Sequence, residues 1–174
     1  MNTRIRLINA MQMLLTKHAI KDVTVEMILK QSDISKATFY RYFADKYELA
    51  TAYYTHTLYD VLLYTEPDYR SSMNKLLDFM KDNQEYFKQL MVLDAPDDLA
   101  TLLFQSSMQT SQKVMEEYKQ QPLSKHEVQG LAFFTAGATH TILQWIDSDT
   151  ALPVVEVSEL IYQCIPSFLK PYIP

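Results

Sequence analysis

Gly130 and Gly137 are the only two glycines in 174 residues. Strand-rich folds turn tightly and often, and tight turns want residues that tolerate φ > 0, glycine above all. So few glycines predict an all-α protein. They also exclude a glycine-cradled phosphate loop, since no two glycines stand close enough to form one. At 48% hydrophobic residues the chain can bury a real core. Its length favours one domain with room for a small second module.

Other classes fall on the same kind of arithmetic. Cys164 is the only cysteine. That rules out an intramolecular disulfide and a cysteine-rich zinc site, and a reduced, cytoplasmic setting is the default. The apolar run after Arg4 and Arg6 is broken by Asn9, Gln12 and Lys17, and no small-residue cleavage site follows, which argues against a signal peptide. No stretch of about 18 uncharged apolar residues exists, so no membrane partner is expected.

The net charge of −5 hides a division. Residues 1–50 hold eight basic and five acidic residues, a balance of +3, and the rest of the chain holds eight and sixteen, a balance of −8. A basic head on an acidic body suits a head that meets a polyanion.

Helical periodicity runs through the whole chain. Leu7, Ile8, Met11, Leu14 and Leu15 mark an amphipathic helix over about residues 3–18. Thr24 reads as the N-cap of a short second helix, Ser35 as the cap of a third over 36–42, and Asp45 as the cap of a fourth from Lys46 to about Tyr64. Further helical segments follow near 70–81, 84–93, 97–120, 125–146 and 154–169, enough for a bundle, with Pro166 expected to kink or redirect the last.

The second and third helices are short and separated by only a few residues, which is the helix-turn-helix pattern. The third would be the recognition helix, lying in the major groove. At 100° per residue Phe39 and Phe43 share one face and can anchor it, while Lys36, Thr38, Tyr40, Arg41 and Tyr42 point elsewhere. That outward set consists of hydrogen-bond donors suited to phosphates and base edges. A lysine at position 46, the start of a helix, is unfavourable against the helix dipole, so a nearby phosphate is the reading that explains it.

The run from Thr24 to Ile28 and from Ser35 to Leu49 resembles the TetR family of bacterial transcriptional regulators. Ala37, Thr38, Phe39, Tyr40, Tyr42, Phe43, Lys46 and Leu49 sit in the register of the family pattern. The chain departs from it at Leu29, where alanine is usual, and at Ser32-Asp33, where Ala-Gly is usual. Asp33 can replace glycine because aspartate tolerates a left-handed turn better than most residues. The resemblance implies a three-helix DNA-binding domain over 1–60 and an all-α ligand-binding and dimerisation domain over 61–174. It implies DNA contacts from Thr24, Ser35, Lys36, Ala37, Thr38, Tyr40, Arg41, Tyr42 and Lys46.

In the body, residues 133–146 are nearly uncharged, and both glycines lie on this helix, seven residues apart and on nearly one face. Glycine in a helix costs about 1 kcal/mol relative to alanine, so close approach of another helix is a reasonable cause. The expected homodimer interface takes Gly130, Gly137, Thr141 and Trp145 from this helix, and Val157, Leu160, Ile161, Cys164 and Phe168 from the last. Candidates to line a pocket for a small-molecule effector of unknown identity are His56, Tyr59, Phe79, Tyr86, Phe87, Phe104, Met108 and Phe134. The histidines lie at long intervals, none paired with an acid at a metal-ligand spacing, so neither metal nor cofactor is expected.

These features favour a homodimeric repressor that binds a palindromic operator in double-stranded DNA and is released by an effector. The alternative is a coactivator, because the short body with its Gly/Ala-rich helix and Trp145-Ile146 also resembles the dihydroxyacetone-kinase-operon activators. A helical adaptor that binds only protein would leave the donors of residues 36–46 unexplained. No nucleophile beside a base, no suitable carboxylate pair and no cofactor loop supports an enzyme.

Overall fold

The computed structural model describes residues 2–57, 68–91, 98–148 and 152–173. Among them are nine α-helices and no strand: α1 (Thr3–Leu15), α2 (Val25–Ser32), α3 (Lys36–Tyr42), α4 (Lys46–Thr57), α5 (Tyr69–Asp82), α6 (Gln84–Met91), α7 (Leu99–Lys119), α8 (Lys125–Asp147) and α9 (Val154–Gln163). A 3₁₀ turn, Lys170–Tyr172, follows.

Local chemistry sets most of the helix starts. Asn2, Thr24, Ser35, Asp68, Asp98 and Ser124 each accept a first-turn N–H through the side chain. Asp45 Oδ1 accepts from Tyr47 N (2.8 Å) and Glu48 N (2.9 Å), and Ala44 N donates to Glu48 Oε2 (2.6 Å). The caps expected at Thr24, Ser35 and Asp45 are therefore in place. The expected extension of α4 towards Tyr64 lies outside the described residues. The last helix differs from expectation: it stops at Gln163, and the chain turns through Pro166, whose carbonyl accepts from Leu169 N (2.9 Å) and Lys170 N (3.2 Å). Proline cannot donate into a continuing helix, so the chain changes direction there, one of the two outcomes expected of Pro166.

One apolar core runs from head to body. Leu7, Ile8 and Met11 of α1 join Phe39 and Phe43, then Leu49 and Tyr54 of α4, Phe87 of α6 and Ile146 of α8. Polar ties cross the same seam: Gln12 Nε2 donates to Asn83 Oδ1 (2.7 Å), and Ile20 N to Gln89 Oε1 (3.3 Å). A smaller cluster, centred on Met115, Leu131, Ile165 and Leu169, closes the far end of the body.

Candidate nucleic-acid interface and body surfaces

The α2–α3 turn is built around Asp33, the C-cap of α2, at φ 52°, ψ 49°. This is the left-handed conformation in which aspartate replaces the family's glycine at low cost. Arg6 of α1 clamps the turn: its Nη2 donates to Ser32 O (2.7 Å) and Asp33 O (3.2 Å) and approaches Asp33 Oδ2 at 3.4 Å. Nothing in the sequence pattern singled out Arg6. Its 26-residue separation from Ser32 puts this contact beyond any helical periodicity.

Helix α3 divides as its periodicity predicts. Phe39 and Phe43 are sealed in the head core, their rings 6.3 Å apart. Lys36, Ala37, Tyr40, Arg41 and Tyr42 are exposed. Tyr40 stands edge-on against Phe39 at 5.1 Å, which fixes its ring while half its surface stays open. The Arg41 guanidinium lies 5.3 Å from the Tyr42 ring centroid. Ser35 Oγ accepts from Thr38 N (3.3 Å) and donates to Thr38 Oγ1 (2.9 Å). Thr24 Oγ1 accepts from Met27 N at 3.2 Å, so this hydroxyl also serves as a helix cap. A helix of seven residues spans about 10 Å, short enough to enter a major groove end-first or along its floor.

Lys46 has work that the sequence did not show. Its Nζ donates to Val23 O (2.8 Å), Ile20 O (2.9 Å) and Lys21 O (3.2 Å). An ammonium has three protons, and three carbonyls take them. The cation at the start of α4 is thus compensated by carbonyl dipoles of the turn before α2. A phosphate is not needed to explain it, and Lys46 organises the turn that ends in Thr24.

In the body, the residues expected at a dimer interface separate into two sets. Val157 and Ile161 are buried in the monomer core, as is Trp145, whose Nε1 donates to Leu152 O at 2.9 Å. Val157 and Ile161 face inward as α9 packs onto α5. Gly130 is also explained within the monomer: a Cβ there would lie 2.3 Å from Phe168 Cζ, so the glycine makes room for that ring. Gly137, by contrast, faces open space, and Thr141 Oγ1 donates to its carbonyl (2.9 Å). Leu160, Cys164 and Phe168 are exposed. The helical pattern alone did not mark Phe133, which is 84% exposed. It lies four residues before Gly137, on the stripe that continues through Ala136 and His140, all exposed.

A cavity of about 240 Å³ opens between α5, α7, α8 and the C-terminal turn. Among the described residues expected to line a pocket, only Phe134 lines this cavity. Tyr86 and Phe87 are core, and Phe79 packs against it beside Tyr53 and Phe87. Phe104 lines a shallow outer groove between α7 and α8, Met108 packs on the smaller cluster, and His56 is half-buried on α4. Tyr59 lies outside the described residues. Phe134 stands on the cavity wall with Tyr69 and Tyr172, while Phe79, Tyr86 and Phe87 fill space in the core; serines and threonines make up much of the remaining wall. Among the described residues no group of three His, Cys, Asp or Glu is arranged for a metal, and no helix is long and apolar enough to cross a membrane.

These features define a helix-turn-helix protein whose recognition helix is pinned by two phenylalanines and mounted on an all-helical body. The chain belongs to the tetR family of bacterial regulatory proteins. The model of that description matches residues 7–53, and a second, for a transcriptional regulator C-terminal region, matches residues 68–167. It is thus a transcriptional regulator with a DNA-binding head. Among solved structures it is similar to the dihydroxyacetone kinase operon activator DhaS, with TM-score 0.73 and 18% identity over 99% of this chain and 98% of that one. It is also similar to a TetR transcriptional regulator from Rhodococcus sp. RHA1, with TM-score 0.65 and 13% identity over 99% and 97%. At such identities the likeness is one of fold. No curated protein matches the chain.

Proposed function

We propose that the protein is a homodimeric repressor of the cytoplasm, which reads a palindromic operator with two copies of α3 and leaves it when an effector enters the body. The carrying observation is the division of α3: its two phenylalanines are locked into the head core while Lys36, Tyr40, Arg41 and Tyr42 stand exposed. With Ser35, Ala37, Thr38 and Thr24 they make the contact set. Lys46 serves it by holding the turn before α2. Cations and tyrosine hydroxyls bind phosphate and set register, while Lys36 and Thr38, near the helix start, are placed to reach base edges.

The exposed Phe133 and Gly137 of α8, Leu160 of α9 and Phe168 in the turn after it support pairing of α8 and α9 with their copies in a second chain. Pairing sets the spacing between recognition helices, and an effector that binds a differently spaced arrangement better withdraws the dimer from DNA. A gel-shift salt titration on a duplex selected from a random pool tests the reading. Affinity should fall steeply and linearly on log–log axes as counterions are released. A flat response would leave a protein-binding adaptor instead. The alternative of a coactivator is kept by the likeness in fold and length to DhaS. A reporter driven by the selected site separates the two, rising on deletion of a repressor and falling on deletion of an activator.

A further inference from the structure

The cavity between α5, α7 and α8 has walls of an uncommon kind. Leu76, Leu103, Leu131 and Ile142 supply apolar surface. Across it run hydroxyls: Ser106, Ser107, Thr110 and Ser111 share one stripe of α7, and Thr135 and Thr139 share one of α8. Among the described lining residues there is no Lys, Arg or His. The one carboxylate, Asp68, accepts from Ser71 N (2.9 Å) and Ser71 Oγ (2.8 Å), and these bonds hold its carboxyl below the usual range. Both oxygens are therefore engaged and the group stays ionised at neutral pH.

An anionic ligand would lose its hydration here, find no countercharge among the described lining residues and meet a carboxylate. A cation would also lose its hydration, and its one countercharge among the described lining residues would be Asp68, each of whose oxygens already accepts from Ser71. A neutral molecule loses little on entry, and the hydroxyls can take one or two polar groups. A dry cavity of about 150 Å³ holds benzene, so about 240 Å³ suits about ten non-hydrogen atoms.

Ser106 belongs to two networks. It lines the cavity, and its Oγ lies 3.3 Å from the hydroxyl of Tyr54 on α4. Ser106 Oγ donates to Leu102 O (2.6 Å), so the Tyr54 hydroxyl is the donor between the two. Tyr54 is only 1% exposed, and burial pushes its phenol up, so it keeps its proton. Ser106 Oγ has two lone pairs and Tyr54 uses one, so a ligand donor reaching Ser106 crowds or displaces the Tyr54 bond. A buried hydroxyl left without a partner is costly, so α4 has a reason to move. The same helix carries Lys46, which holds the carbonyls of Ile20, Lys21 and Val23 just before α2.

We propose that this cavity binds an uncharged, mainly apolar molecule of about ten non-hydrogen atoms bearing a hydrogen-bond donor, and that Ser106 and Tyr54 are the positioning residues that carry its occupancy to the DNA-binding head. This rests on the regulator reading above and adds to it the chemical class of the effector and its route.

The test uses the full chain and a panel of p-cresol, indole and benzamide against 4-methylbenzoate and benzyltrimethylammonium, followed by calorimetry. At least one neutral member should bind about tenfold more tightly than either ion. Ala138→Phe and Ser107→Phe, which fill the cavity from opposite helices, should each remove that binding. Equal binding of an ion, or no binding of any neutral member, overturns the class. For the route, gel shifts on the selected duplex are run with and without the bound neutral compound. Tyr54→Phe should keep compound affinity and Ser106→Ala, which removes a ligand acceptor, should weaken it; at saturating compound both should cut the compound's effect on DNA affinity roughly fivefold. An unchanged effect in both variants, or no effect in the wild type, overturns the route. A chain that binds no duplex defeats the regulator reading, while calorimetry still decides the ligand class.

Discussion

The head and the body are finished differently. In the head, large apolar groups such as Phe39 and Phe43 are hidden, and the exposed groups of α3 are mostly donors. Its two turns are tied by long-range cations, Arg6 on the α2–α3 turn and Lys46 on the turn before α2. The body hides a comparable core yet leaves Phe133, Val155, Leu160 and Phe168 in solvent. A surface of donors over a sealed core suits a partner that is charged and hydrated. Exposed apolar side chains on α8, on α9 and in the turn after it suit a partner that is another protein surface. One chain thus presents two recognition chemistries, separated by where its phenylalanines point.

That contrast breaks most sharply at Gly137. A Cβ there meets nothing within 4 Å in the monomer, so Gly137→Leu should leave each chain folded while driving a branched side chain into the proposed pairing face. Loss of the dimer removes the tethering advantage and should cost about 10²–10⁴-fold in operator affinity, with far less effect on random duplex. Light scattering beside gel shifts checks this. A surviving dimer with normal operator binding would move the interface elsewhere. The next effect contrasts two phenylalanines. Phe39→Ala opens the head core and should cost about 3–5 kcal/mol of stability. Phe133→Ala should stay within about 0.5 kcal/mol in the monomer while weakening self-association. Urea melts and sedimentation would show it, and equal losses in the two melts would erase the distinction between hidden and open phenylalanines.

The head was the more legible half because its information is local. Caps at Thr24, Ser35 and Asp45 act within three residues, and the turn of Phe39 and Phe43 into the core follows from spacing alone. Asp33 was readable too, since few residues besides glycine adopt φ near 52° cheaply. In the body a helix wheel gives a face but not what covers it. Val157, Leu160 and Ile161 fall on neighbouring positions of one wheel; the bundle buries the first and third and leaves the second open. Gly130 and Gly137 have the same local signature and opposite surroundings. The cavity was missed because it is an absence of bulk, written in serines and threonines that ordinary helices also carry.

Lys46 gives a smaller effect that sharpens the view of the head. Lys46→Met keeps the aliphatic stem and removes three bonds to carbonyls, for an expected loss of about 1–3 kcal/mol in head stability. DNA affinity should fall by a similar factor on specific and random duplexes, because the displaced turn carries Thr24. The salt slope discriminates. A lysine that only organises the turn leaves the slope unchanged, whereas a lysine that neutralises a phosphate in each half-site lowers it, when removed, by about 0.9 per phosphate. An unchanged slope is expected.

The smallest expected effect lies in acid and belongs to the body. Glu127 closes the capping box at the start of α8 and receives Lys119 Nζ on both oxygens, at 2.7 and 2.8 Å, from the end of α7. The bond from Lys119, then those from Ser124, hold its carboxyl at about 2 against an ordinary 4.5. A carboxyl depressed by folding stabilises the native state fully above its unfolded value, and that contribution fades as pH falls through the folded value. The α7–α8 junction should therefore weaken from about pH 4.5 down to about pH 2. Asp68, Glu116 and Glu159 are shifted the same way by their own hydrogen bonds, all in the body. Trp145, the single tryptophan, sits on α8 and reports the body's unfolding by fluorescence. Glu127→Gln should lower the melting temperature at pH 7 and converge on the wild type near pH 2, giving a shallower acid limb. Parallel curves across that range would mean that the Lys119 contact contributes nothing in solution, and that the junction is held by the cluster around Met115, Leu123 and Leu131 and by the bond from Leu123 N to Glu116 Oε1.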